Sequence, residues 1–156
     1  MNTLRKNGFT SLELMIVLTC FGLVVAASWG TIGSMIHQHR LTSAANQVAT
    51  HLRLAREKAV AEGNNYIVTF RVPNNDYRVW DDEGSDSVFG AGEARTLFDM
   101  PTQVTLTNAA FFGANRVIFR PDGTANASGS LRLSNSEYAR QIDILASTGK
   151  ITISTP

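Results

Sequence analysis

The feature that most constrains this 156-residue chain is an uncharged apolar run over residues 14–27, LMIVLTCFGLVVAA. With residues 9–12 before it and weakly polar residues up to Ile36 after it, the run exceeds the roughly 20 residues that a membrane-crossing helix needs. Arg5 and Lys6 precede it, and His37, His39 and Arg40 close its far end. The positive-inside tendency then puts the N-terminus in the cytoplasm and the rest of the chain outside it. Glu13 stands out, because a carboxylate at membrane depth costs about 2.5 kcal/mol or more unless something pairs with it.

Three readings of this segment compete. A cleaved secretory signal has a basic start, an apolar middle and small residues before the cut, which Ala26, Ala27 and Ser28 supply, but Glu13 weakens its apolar head. A plain membrane anchor meets the same carboxylate. The third reading gives the carboxylate a partner. The stretch GFTSLELMIVL, residues 8–18, resembles the class III signal of type IV pilins and pseudopilins: basic leader, Gly, Phe, Thr, two aliphatic residues, Glu, then a long apolar run. Ser11 departs from that pattern where an aliphatic residue is usual. The resemblance implies that a prepilin peptidase cuts after Gly8 and N-methylates Phe9. It also implies that Glu13, then the fifth mature residue, pairs with the N-terminal amine of a neighbouring subunit. Cleavage creates an ammonium at the bilayer edge, and a carboxylate about one helical turn along can neutralise it.

The helical pattern continues past residue 37. Leu41, Ala45, Val48, Leu52, Ala55 and Ala59 recur at steps of four and three, with Asn46, Gln47, Thr50, Arg53, Glu57 and Lys58 on the other faces. Arg53 and Glu57 form an (i, i+4) pair. Gly63, followed by two asparagines, supplies a stop. Thereafter the period changes to two: YIVTF (66–70), YRVW (77–80), QVTLT (103–107), RVIFR (116–120), SLRLS (130–134), RQIDILAS (140–147) and KITIS (150–154) read as seven strands. The cluster at residues 73–76, Pro121-Asp122-Gly123 and Thr148-Gly149 mark turns. The class is therefore α+β, a long N-terminal helix, half transmembrane and half amphipathic, packed on antiparallel sheets. The expected segments are a leader (1–8), a transmembrane assembly helix (9–36), its amphipathic continuation (37–63) and a periplasmic β domain (64–156). Leu52, Ala55, Arg56 and Ala59, the Phe119-x-Pro121-x-Gly123 turn and the closing Gly149-Lys150 hairpin resemble the H-type minor pseudopilin and FimT group of that superfamily. This resemblance spans nearly the whole chain and implies a single-pass bacterial inner-membrane subunit that enters a type II secretion pseudopilus or a type IV pilus tip. Its partners would be other pilin or pseudopilin subunits, the prepilin peptidase and the inner-membrane assembly platform.

Charge and chemistry narrow the rest. Removing the leader takes away Arg5 and Lys6 and leaves 12 basic against 13 acidic residues, close to neutral. Some FimT-like minor pilins bind DNA through a C-terminal Gly-Arg-x-Arg motif, whereas this chain has Gly149-Lys150-Ile151-Thr152. Lys150, Arg116, Arg120, Arg132 and Arg140 are the candidate DNA contacts, and DNA capture is the competing function, but phosphate binding needs accumulated charge that a near-neutral domain lacks. The acidic run at residues 81–86 does not complete an EF-hand, since the twelfth position from Asp81 is Gly92, and it reads as a solvated loop. Cys20, the single cysteine, permits neither an intramolecular disulfide nor a cysteine metal cluster and reads as a small apolar packing residue. His37 and His39 read as a membrane-exit cluster, His51 as a surface histidine. No nucleophile, metal or phosphate-loop motif is present, so the reading is non-enzymatic and without a cofactor.

Overall fold

The computed structural model describes residues 10–84, 87–90, 93–111 and 114–156, and within the N-terminal helix the side chains other than those of 27–32 and 34. Helix α1 is Ser11–Glu62. The chain divides after residue 36 into two compact units.

In the first unit, Leu12, Leu14, Met15, Ile16, Val17, Leu18 and Phe21 are each more than half exposed, and Cys20 is exposed rather than packed. The Thr19 hydroxyl donates back to Met15 O at 2.9 Å and Ile16 O at 2.8 Å, which satisfies it within the helix. Among the described residues no helix is long and apolar enough to cross a membrane. The span expected over 9–36 includes Phe9 and the side chains at 27–32 and 34, which lie outside them.

The second unit is built on the amphipathic part of α1. Leu41, Ala45, Val48, Leu52, Ala55 and Ala59 are all buried, as their spacing predicts. The helix stops where Gly63 takes φ 74 and returns its N–H to Ala59 O at 3.1 Å. Strands β1 (Asn65–Arg71), β2 (Asp76–Asp82), β3 (Arg95–Asp99) and β5 (Arg116–Phe119) form one antiparallel sheet in the order β3-β2-β1-β5. The second sheet, order β4-β6-β7-β8, contains β4 (Thr105–Phe111), β6 (Gly129–Ser134), β7 (Ala139–Leu145) and β8 (Lys150–Ser154). Tyr66, Val68, Phe70, Tyr77, Val117 and Phe119 of the first sheet join Leu106, Phe111, Leu131, Leu133, Ile142 and Ile144 of the second and the helix stripe in one core.

Among the described residues eight strands stand where the pattern predicts seven, the additional one being β3. β4 starts two residues later than expected, with Gln103 in a turn at φ 71. The turn at residues 72–75 is a 3-10 turn, Val72–Asn74, closed by Asn75 at φ 57. Asn75 then ties the sheets together: its Nδ2 donates to Val104 O at 2.8 Å and its Oδ1 accepts from Leu106 N at 2.8 Å. Beside it, buried Asp76 accepts a two-pronged pair from Arg71, the one ion pair among the described residues. The acidic run is not the solvated loop expected of it, since Asp82 is fully buried and accepts from Ser87 N through both oxygens at 3.2 Å. Ser85 and Asp86 lie outside the described residues.

Candidate functional site

The first candidate is the head of α1. Thr10 precedes the helix, and its Oγ1 accepts from the Glu13 N–H at 3.2 Å while its carbonyl accepts from Leu14 N at 3.1 Å. Thr10 is therefore the N-cap and Glu13 the third helical residue, the spacing of a capping box. The Thr-x-x-Glu signal is plain in the sequence, yet the pilin-like motif that overlaps it draws attention to Glu13 alone. A carboxylate in the first turn also faces the positive end of the helix dipole. The Glu13 carboxylate makes no hydrogen bond or ion pair among the described residues. Gly8 and Phe9, the expected cut and methylation positions, lie outside those residues.

The second candidate is a junction within the other unit. Arg56 leaves the helix beside buried Leu52, Ala55 and Ala59, and its Nε donates to Gly123 O at 2.8 Å. Gly123, at φ 78, belongs to the Pro-Asp-Gly turn, whose Thr124 is held by the Asp122 carboxylate through its N–H at 2.8 Å and its hydroxyl at 2.6 Å. Gly149, at φ 59 in the turn between β7 and β8, reaches the same place. A Cβ there would lie 2.3 Å from Gly123 O and 2.6 Å from Arg56 Nε. Three stretches that read as separate motifs thus meet at the Arg56 guanidinium. Around it opens a cleft of about 420 Å³ lined by Arg53, Arg56, Glu57, Thr148, Gly149, Lys150 and Ile151. Arg53 and Glu57, expected as an (i, i+4) pair, make no salt bridge and instead both line this cleft.

The basic residues expected to converge do not share one face. Arg116 belongs to β5 of the first sheet, where its Nη1 donates to Ser87 O at 3.2 Å, and Arg120 follows that strand, exposed. Arg132 lies on β6 between buried Leu131 and Leu133, hence on the outer side of the second sheet. Arg140 alternates in phase with buried Ile142 and Ile144 at the start of β7 and donates to Thr155 Oγ1 at 2.8 Å. Register places Lys150 opposite Leu145 and Arg132 opposite Gln141, so these two cations share the outer side but sit about 13 Å apart along it. Asp143, bonded to Gln141 and Ser154, stands between them.

His51 is not a surface residue. Its Nδ1 meets Tyr77 OH at 2.6 Å and its ring packs against Phe98 with centroids 4.0 Å apart. Burial lowers the His51 pKa and raises that of Tyr77. The adjoining cleft, lined by Leu54, Ala55, Lys58, Val79 and Phe98 among others, holds about 120 Å³. That is below the several hundred Å³ of an ordinary small-molecule site. Among the described residues no group of three His, Cys, Asp or Glu is placed to hold a metal ion.

Solved structures that share this fold include subunits of secretion and pilus systems. The minor pseudopilin EpsH of the Vibrio cholerae type 2 secretion system matches with TM-score 0.60 at 11% identity, over 75% of this chain and 98% of that one. The type IV minor pilin FimU of Pseudomonas aeruginosa strain PAO1 matches with TM-score 0.55 at 14% identity, over 77% of this chain and 92% of that one. A search of curated proteins found no match. The fold is therefore the pilin-like one of these structures. The family model of the type II transport protein GspH matches residues 44–149, and the chain belongs to that family, within the type IV pilin and pseudopilin class. This membership makes it a structural subunit and not an enzyme.

Proposed function

We propose that this protein is a minor subunit that is cut after Gly8 by a prepilin peptidase, N-methylated at Phe9, and assembled through its N-terminal helix into a type II secretion pseudopilus or the tip of a type IV pilus. Before assembly it spans the bacterial inner membrane once, N-terminus cytoplasmic and β domain periplasmic, and is handed to the assembly platform and its fellow subunits there. The observation that carries this reading is Glu13: a carboxylate without a partner among the described residues, in the first turn of a helix on which Leu12, Leu14, Met15, Ile16, Val17, Leu18 and Phe21 are exposed. Exposed apolar surface of that extent needs lipid or neighbouring helices to cover it. The charge at its head is matched by an N-terminal ammonium of a neighbouring subunit, a charge-assisted contact.

Glu13→Ala and Glu13→Gln variants test this. Both are expected to insert and to be cleaved normally, while the fraction recovered in sheared fibres falls about ten-fold or more, the scale of a lost charge-assisted hydrogen bond. Recovery of both variants at the wild-type level would remove Glu13 from the assembly mechanism.

A further inference from the structure

The cleft at the Arg56 junction has more positive charge than its own surroundings use. It presents Arg53, Arg56 and Lys150 against one carboxylate, Glu57. None of the four takes part in a salt bridge, since Arg71 with Asp76 is the one ion pair among the described residues. Arg56 is held from behind, its Nε fixed on Gly123 O at 2.8 Å. The floor is backbone: a side chain on Gly149 would fill the space now taken by Arg56, whose Cδ would be 2.9 Å from the added atom. The guanidinium is thus positioned before any ligand arrives, which lowers the ordering cost of binding. At about 420 Å³ the opening admits a side chain or a short segment.

From this arrangement we infer that the cleft docks a single carboxylate, an Asp or Glu side chain on a neighbouring subunit of the same fibre. The inference rests on the assembly reading given above. Charge complementarity selects the occupant. An arginine fork with a nearby lysine suits one planar carboxylate. A polyanion needs a continuous positive track, and Glu57 in the wall and Asp143 on the adjoining outer face of the sheet interrupt one. Lys150 and Arg53 then set which neighbour is accepted and how fast it arrives.

Zero-length carbodiimide coupling on fibres carrying the full-length protein tests the inference, because it joins an amine only to a carboxylate it already touches. The chain has few lysines, Lys6, Lys58 and Lys150, so the linked peptide is unambiguous. Lys150 is expected to appear amide-linked to an Asp or Glu of another subunit. An Arg53→Glu/Lys150→Glu double variant, still cleaved and still folded by its melting curve, is expected to lose about ten-fold in fibre incorporation. Fibres that contain the protein but show Lys150 unlinked, or linked only to Glu57 of its own chain, would overturn the docking site alone. Absence of the wild-type protein from fibres would instead overturn the assembly reading and the docking site with it.

Discussion

Helix α1 carries two kinds of surface under one hydrogen-bonding pattern. Leu41, Ala45, Val48, Leu52, Ala55 and Ala59 form a stripe that is at most 1% exposed, with Leu54 outside it, whereas Leu12, Leu14, Met15, Val17 and Phe21 point outward all round and stay exposed. A stripe fits a helix that covers one core from one side. An apolar surface on every side fits a helix whose partners surround it. The difference is that one part of the helix belongs to the core of the second unit, while the large side chains described in the other are left uncovered.

Truncations to alanine should therefore separate the two parts. Leu52→Ala removes a fully buried side chain from the common core and is expected to cost about 2–5 kcal/mol of unfolding free energy. Val17→Ala is expected to stay within about 0.5 kcal/mol while lowering fibre incorporation. Denaturant melts of the full chain in detergent check the first, and a comparable loss from Val17→Ala would erase the distinction.

Glycines sharpen it. Gly149→Ala meets Gly123 O at 2.3 Å in a left-handed backbone, and a cost of about 2 kcal/mol or more is expected. Gly22 has nothing within 4 Å of where a Cβ would stand, so Gly22→Ala is expected to stabilise the helix by up to about 1 kcal/mol, read as a gain in helicity by circular dichroism in micelles.

The smallest effect is confined to the second unit. The His51 pKa is lowered by burial, so in the window between its folded value and the usual 6.5 the unfolded chain binds a proton that the folded chain does not. Stability is then expected to fall as pH drops below about 6.5 and to level off beneath the folded value. His51→Gln should flatten that slope in melts taken from pH 7 to 5.

Much of this contrast is legible from periodicity alone. The stripe from Leu41 to Ala59 and the stop at Gly63 follow from spacing and backbone freedom, which are local properties. β3 escaped because it is an edge strand with four of its five residues exposed, so no alternation marks Arg95–Asp99. Asp82 misled for the opposite reason, since burial of a carboxylate depends on Ser87 folding back over it. In the sequence the junction shows only as three separate stretches, with nothing to place them in contact. Arg56 and Gly123 are 67 residues apart, and it takes the closing of both sheets to bring Gly149 to the same guanidinium.

The central claim, that the outward-facing part of α1 is an assembly element released by processing, is tested most directly by the N-terminus of the protein recovered from membranes and fibres. Intact mass and N-terminal sequencing are expected to show a chain that begins at Phe9 and carries one methyl group. A chain beginning at Trp29, as an ordinary secretory signal would leave it, or an uncut chain in fibres, would contradict the account.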